Sequence, residues 1–131
     1  MGLKAAPAAL TLALTFLGGG DTTDTVVLTA RHSRFEPAVV DVRPGSTVRI
    51  VVRNLDPIDH ELIVGDDDVQ ARHEAGTEAH HGARPGEVSV PALSTAATTF
   101  RMPADGGDVP FGCHLPGHWA YGMQGVLRTR T

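Results

Sequence analysis

The sequence is poor in cysteine, lysine and aromatic residues. Its 131 residues include one Cys, one Trp, one Tyr and four Phe. A single cysteine, Cys113, excludes an internal disulfide framework and any CxxC metal or redox motif. Lys4 is the only lysine, and the 11 basic residues face 15 acidic ones, for a net charge of -4. That balance argues against nucleic acid as a partner. No apolar run reaches about 18 residues, so no helix that spans a bilayer is expected. The chain is also too short for two substantial cores. What remains is 41% hydrophobic and 20% charged, with 15 Gly and 9 Pro. This is a globular balance that favours turns and short strands over long helices.

Residues 1–20, MGLKAAPAALTLALTFLGGG, carry one charge, an apolar middle and a small-residue exit. This is the pattern of a secretory signal peptide, so an exported protein, periplasmic or extracellular, is expected. The mature domain is then residues 21–131. Export sharpens the question of Cys113, because an exposed thiol in an oxidising compartment is prone to oxidation. It is expected to be buried or ligated.

Short β-like runs fill the rest of the chain, at residues 25–31, 38–42, 47–54, 60–64, 87–90, 97–102, 109–113 and 125–129. In the third, Val48, Ile50 and Val52 alternate with Arg49 and Arg53, the period-2 signature of a strand with one buried face. Eight such runs at close spacing predict an all-β sandwich or barrel. Residues 65–85 break the rhythm. They form a polar loop with Asp66, Asp67, Asp68, Glu74 and Glu78, and residues 67–75 are its best helical stretch. The loop carries His73, His80 and His81, which read as part of a solvated acidic face or, more sharply, as a second, labile metal site.

The segment 113–123, CHLPGHWAYGM, places a thiol, an imidazole and a thioether at intervals of five residues. Pro116-Gly117 supplies a turn between Cys113 and His118, and Gly122 lets the chain bend before Met123. Two soft sulfurs with imidazole suit copper, and a His2Cys site with a weak axial Met is the arrangement of blue-copper centres. The second imidazole comes from elsewhere. His60, opening the apolar run 60–64 after a turn-rich stretch, is the candidate. Taken singly, each of these residues has an ordinary structural reading; their spacing around the lone cysteine is what points to a metal. His114 is expected to face away from such a site by strand alternation. Asn54 and Glu61 are candidates for hydrogen bonds near the loop, and Trp119 and Tyr121 for covering its flank.

With these residues in view, the sequence resembles the cupredoxins, the plastocyanin- and azurin-like blue copper proteins. The likeness rests on Phe35-Glu36-Pro37, Val42-Arg43-Pro44-Gly45, residues 47–54, His60-Glu61, Phe111-Gly112-Cys113 and the stretch from Pro116-Gly117-His118 to Gly122-Met123-Gln124-Gly125. It covers roughly residues 25–130. The resemblance implies an eight-stranded Greek-key β-sandwich and one type 1 copper held by His60, Cys113, His118 and Met123. It further implies a one-electron carrier rather than an enzyme, meeting redox partner proteins through a patch around His118, drawn from Pro57, Ile58, Pro116 and Trp119. A monomer is expected. The alternative is a copper-binding protein for resistance or delivery.

Overall fold

The computed structural model describes residues 23–82 and 84–130. The signal-peptide reading of residues 1–20 lies outside them. The elements in chain order are β1 (Thr23–Arg31), β2 (Arg34–Glu36), β3 (Val39–Val42), β4 (Thr47–Asn54), β5 (His60–Val64), α1 (Asp67–Ala75), β6 (Glu87–Val90), β7 (Thr95–Arg101), β8 (Val109–Gly112), α2 (His118–Tyr121) and β9 (Gln124–Thr129). They form two sheets, one of order β2-β1-β4-β7 and one of order β3-β9-β8-β5-β6. Each contains one parallel pair, β1 with β4 and β3 with β9.

The alternation in β4 works as expected. Val48, Ile50 and Val52 are fully buried, while Arg49 and Arg53 face solvent. They meet Leu28, Leu62, Phe111 and Leu127 in one core between the sheets. Phe35 adds an edge-to-face contact with Phe111 at 5.5 Å, a favoured aromatic geometry.

The all-β sandwich therefore holds, with nine strands among the described residues where eight were expected. The extra strand, β2, has three residues, too few to show a period. It forms because His32 and Ser33 both adopt positive φ, 52° and 54°, as a two-residue hairpin turn requires. Neither is glycine. The conformation is held by Asp56, whose carboxylate accepts the N–H of His32 at 2.7 Å and of Ser33 at 2.9 Å.

The expected helix at 67–75 forms over those residues. Asp66 caps it by accepting the Val69 N–H at 3.0 Å. Asp67 and Asp68 sit at the positive end of the helix dipole, with Arg72 and His73 at the negative end. The helix packs on β5 and β8, which explains why all five residues of β5 are buried. Gln70 reaches down to the carbonyls of Ile63 and Pro110, each at 3.1 Å. Gly65 lets the helix dock, since a Cβ there would sit 2.7 Å from Val69. Among the described residues no helix is long and apolar enough to cross a membrane.

Candidate metal centre

Residues from two loops at one end of the sandwich converge. The Nδ1 atoms of His60 and His118 are 3.2 Å apart, and Cys113 Sγ is 3.3 Å from His118 Nδ1. The three donor atoms all lie within 4.8 Å of one another. His60 opens β5, Cys113 follows β8, and His118 begins α2. The chain from His118 to Met123 was expected as plain loop; it opens with this single helical turn, bounded by Gly117 and Gly122 at positive φ. Four residues are too few for helical periodicity to show in sequence.

Each donor is fixed by its neighbours. His60 Nε2 lies 2.7 Å from Asp56 Oδ2, so its N–H donates there and Nδ1 keeps its lone pair for the centre. The Cys113 N–H donates to Met123 O at 3.0 Å, and the Met123 N–H donates to His118 O at 3.0 Å. Met123 is fully buried, and these bonds tie its backbone to the two loop donors. Gly112 allows the closure, because a Cβ there would strike the Trp119 ring.

The electrostatics fit a cation. Burial pushes the Cys113 thiol up to about 11, so without metal it stays protonated at neutral pH. Burial, then the neighbouring His60, lowers His118, which keeps that imidazole neutral and its lone pair available. Burial alone would raise Asp56; the N–H groups of Ser33 and His32 and the His60 ring outweigh it and hold the carboxyl below its usual range. A buried thiol and two aimed imidazoles, with a methionine tied to them, match the donor chemistry of copper better than that of zinc, for which a methionine is a poor fourth ligand.

The remaining sequence candidates divide. His114 points away from the centre, as expected. It is buried, bonded through Nδ1 to Glu74 at 2.7 Å and through Nε2 to Gln70 at 2.6 Å, and stacked on Trp119. Trp119 thus covers the α1 side of the loop. The open cleft beside His118 is lined instead by His32, Ser33, Pro116, Gly117 and Tyr121. Asn54 braces the His60 loop, donating to Ile58 O at 2.9 Å and accepting the Asp56 N–H at 2.9 Å. Glu61 Oε1 accepts the His114 N–H at 3.1 Å. Sequence reasoning missed Asp56, which reads there only as a turn residue. Its signal was the four-residue spacing to His60.

With this geometry established, comparison places the chain. It has a cupredoxin fold. Auracyanin B superposes with a TM-score of 0.69 at 22% identity, over 86% of this chain and 91% of that one. Auracyanin A, a "blue" copper protein from the green thermophilic photosynthetic bacterium Chloroflexus aurantiacus, gives 0.64 at 24% identity, over 83% of this chain and 100% of that one. At these identities the fold is what is shared. In sequence, the chain is similar to the copper-resistant cuproprotein CopI of Rubrivivax gelatinosus, with 35% identity over 101 residues. The match takes in 74% of this chain and 60% of that protein, so the chain spans under two thirds of its relative's length. No protein-family model matches.

Proposed function

We propose that this protein is an exported type 1 copper protein carrying single electrons, with one copper per chain. His60, Cys113 and His118 would hold it as strong ligands, with Met123 as a weak fourth. The observation that carries the reading is the convergence of the two Nδ1 atoms and the Cys113 sulfur, at 3.2 and 3.3 Å. Bound there, copper would supply a one-electron Cu(II)/Cu(I) couple.

The chain's own contribution is to hold the donors still. Asp56 fixes the His60 ring, and the backbone bonds among Cys113, His118 and Met123 fix the loop. Donors that barely move between oxidation states keep reorganisation small. Burial of His60, Cys113 and Met123 excludes water. His118 alone of the four is partly exposed, and Pro57, Ile58, Pro116 and Tyr121 stand exposed on the loops around it. A redox partner docks there through a small, transient interface. On this reading the protein is a monomeric carrier rather than an enzyme, and residues 1–20 are its export signal.

One observation favours a second reading, copper resistance or delivery: the similar sequence is that of a copper-resistant cuproprotein. Stopped-flow reduction run beside a metal-transfer assay separates the two. A carrier exchanges electrons quickly and keeps its copper, and Ile58→Asp slows the partner reaction without bleaching the protein. Rapid loss of copper to an apo acceptor, with sluggish electron exchange, overturns the carrier reading in favour of delivery.

A further inference from the structure

On the far side of Glu61 lies a second convergence of donors. His73 in the last turn of α1, His81 in the following loop and Glu87 at the start of β6 bring their ligand atoms within 4.8 Å of one another. His73 Nε2 is 3.3 Å from Glu87 Oε1, and His81 Nδ1 is 3.4 Å from Glu87 Oε2. Donor atoms held by one ion at about 2.0–2.2 Å fall roughly this far apart.

The hydrogen bonds on the other side of each ring decide what these atoms offer. His73 Nδ1 lies 2.8 Å from the Val69 carbonyl, so the proton is on Nδ1 and Nε2 carries a lone pair. His81 Nε2 lies against Glu61 Oε2 and 3.1 Å from Thr77 Oγ1. Glu61 is 1% exposed and needs donors, so the proton is on Nε2 and the Nδ1 lone pair points at Glu87. That Nδ1 is buried and makes no hydrogen bond, in a side chain only 1% exposed. A buried polar atom left this way is costly unless something meets it. Two lone pairs and a carboxylate thus face one point. The outer N–H of each histidine is anchored to a carbonyl or a carboxylate, as in metal-binding imidazoles generally.

From this geometry we infer that His73, His81 and Glu87 form a second metal site, separate from the cysteine centre, for a divalent first-row ion. Two imidazoles and one carboxylate accept Zn(II) but bind Cu(II) more tightly, following the usual order of divalent affinities. An open cleft of about 210 Å³ beside the site, bordered by Arg72, Gly76, Glu78 and Arg84, gives an ion access. Glu78 Oε2, 4.0 Å from His81 Nδ1, stands at the rim. Arg84 is bonded to Glu78 at 2.7 Å and lies 3.7 Å from Glu87, where its positive charge competes with an incoming cation. His80 is exposed and takes no part; of the three loop histidines, the fold gathers two, and it adds a glutamate that sequence alone did not connect to them.

The test is titration of the full chain with Cu(II), followed by visible absorption and electron paramagnetic resonance. Two equivalents are expected. One gives the thiolate-to-copper band; the other gives nitrogen hyperfine structure without that band. Glu87→Gln and His73→Gln weaken the second equivalent by at least about tenfold and leave the band intact, and Arg84→Gln tightens it. Both ligand substitutions are at the partly exposed rim, and the retained band reports that the fold survives. His81→Ala is avoided because it also unseats Glu61. A single equivalent in the native chain, or a second one indifferent to Glu87→Gln and His73→Gln, overturns the inference. Absence of the band with a band-free equivalent still bound counts against the reading of the first site and leaves the second standing.

Discussion

The two donor clusters flank one strand, and they differ in a single kind of atom. Near Cys113, two imidazoles meet a sulfur; near Glu87, two imidazoles meet a carboxylate. Both use the same device, a histidine whose outer nitrogen is pinned by oxygen: Asp56 for His60, Val69 and Glu61 for His73 and His81. The pinning chooses the tautomer, and the third donor chooses the chemistry. Thiolate sulfur suits a site that must hold both Cu(I) and Cu(II), whereas imidazole with carboxylate suits divalent first-row ions in general.

The largest effect expected is from Cys113→Ser. It removes the sulfur and with it the whole charge-transfer band, while the folded β domain and metal binding at His73, His81 and Glu87 persist. Persistence of the colour shows that the sulfur does not belong to the centre. Asp56→Ala comes next. It frees the His60 ring and strips the acceptor from His32 and Ser33, so copper affinity falls about 10- to 100-fold and the metal-free fold loses about 2 kcal/mol. Equilibrium unfolding in urea and copper competition read the two losses separately.

Proton release sharpens the contrast further. Because the buried Cys113 thiol sits at about 11, binding at neutral pH displaces its proton. The affinity of the cysteine centre therefore rises by about tenfold per pH unit across the neutral range. In the Cys113→Ser chain, the remaining site has no thiol proton to displace and lacks this thiol-driven dependence. Met123→Leu has a smaller effect: copper is kept and the reduction potential rises, since loss of the proposed thioether donor disfavours Cu(II), as voltammetry will show. His80→Ala is the quiet control, with no change at either cluster. A change in metal stoichiometry there contradicts the exposed placement of His80.

How much of this could be read from sequence depended on whether the signal was local. The alternation of Val48, Ile50 and Val52 marked β4, and residues 67–75, the best helical stretch of the polar loop, became α1. The five-residue spacings from Cys113 to His118 and Met123 marked the loop that the structure folds into one closed turn. Strand β2 was invisible because it depends on Asp56, more than 20 residues away, to hold two left-handed residues. Glu87 was missed for a similar reason. Nothing in EVSV distinguishes its first residue from a solvent-facing acid, and only the pairing of β6 with β5 brings it under the histidines. The choice of His81 over its neighbour His80 was equally hidden. The N–H of His81 donates to Ser89 Oγ at 2.7 Å, and its ring turns inward.

The parallel pairing of β3 with β9 sets an order of events during synthesis. Val39 aligns with Val126 and Val42 with Thr129, so strands from opposite ends of the domain must meet before that sheet is complete. Joining such distant segments is entropically demanding and slow compared with making a hairpin. Cys113 leaves the ribosome before β9 does, while the loop that will shelter it has no anchor. In that interval its thiol is open to oxidants and to stray ions. A metal held by Cys113, as proposed, would therefore be loaded late, after the final strand has docked.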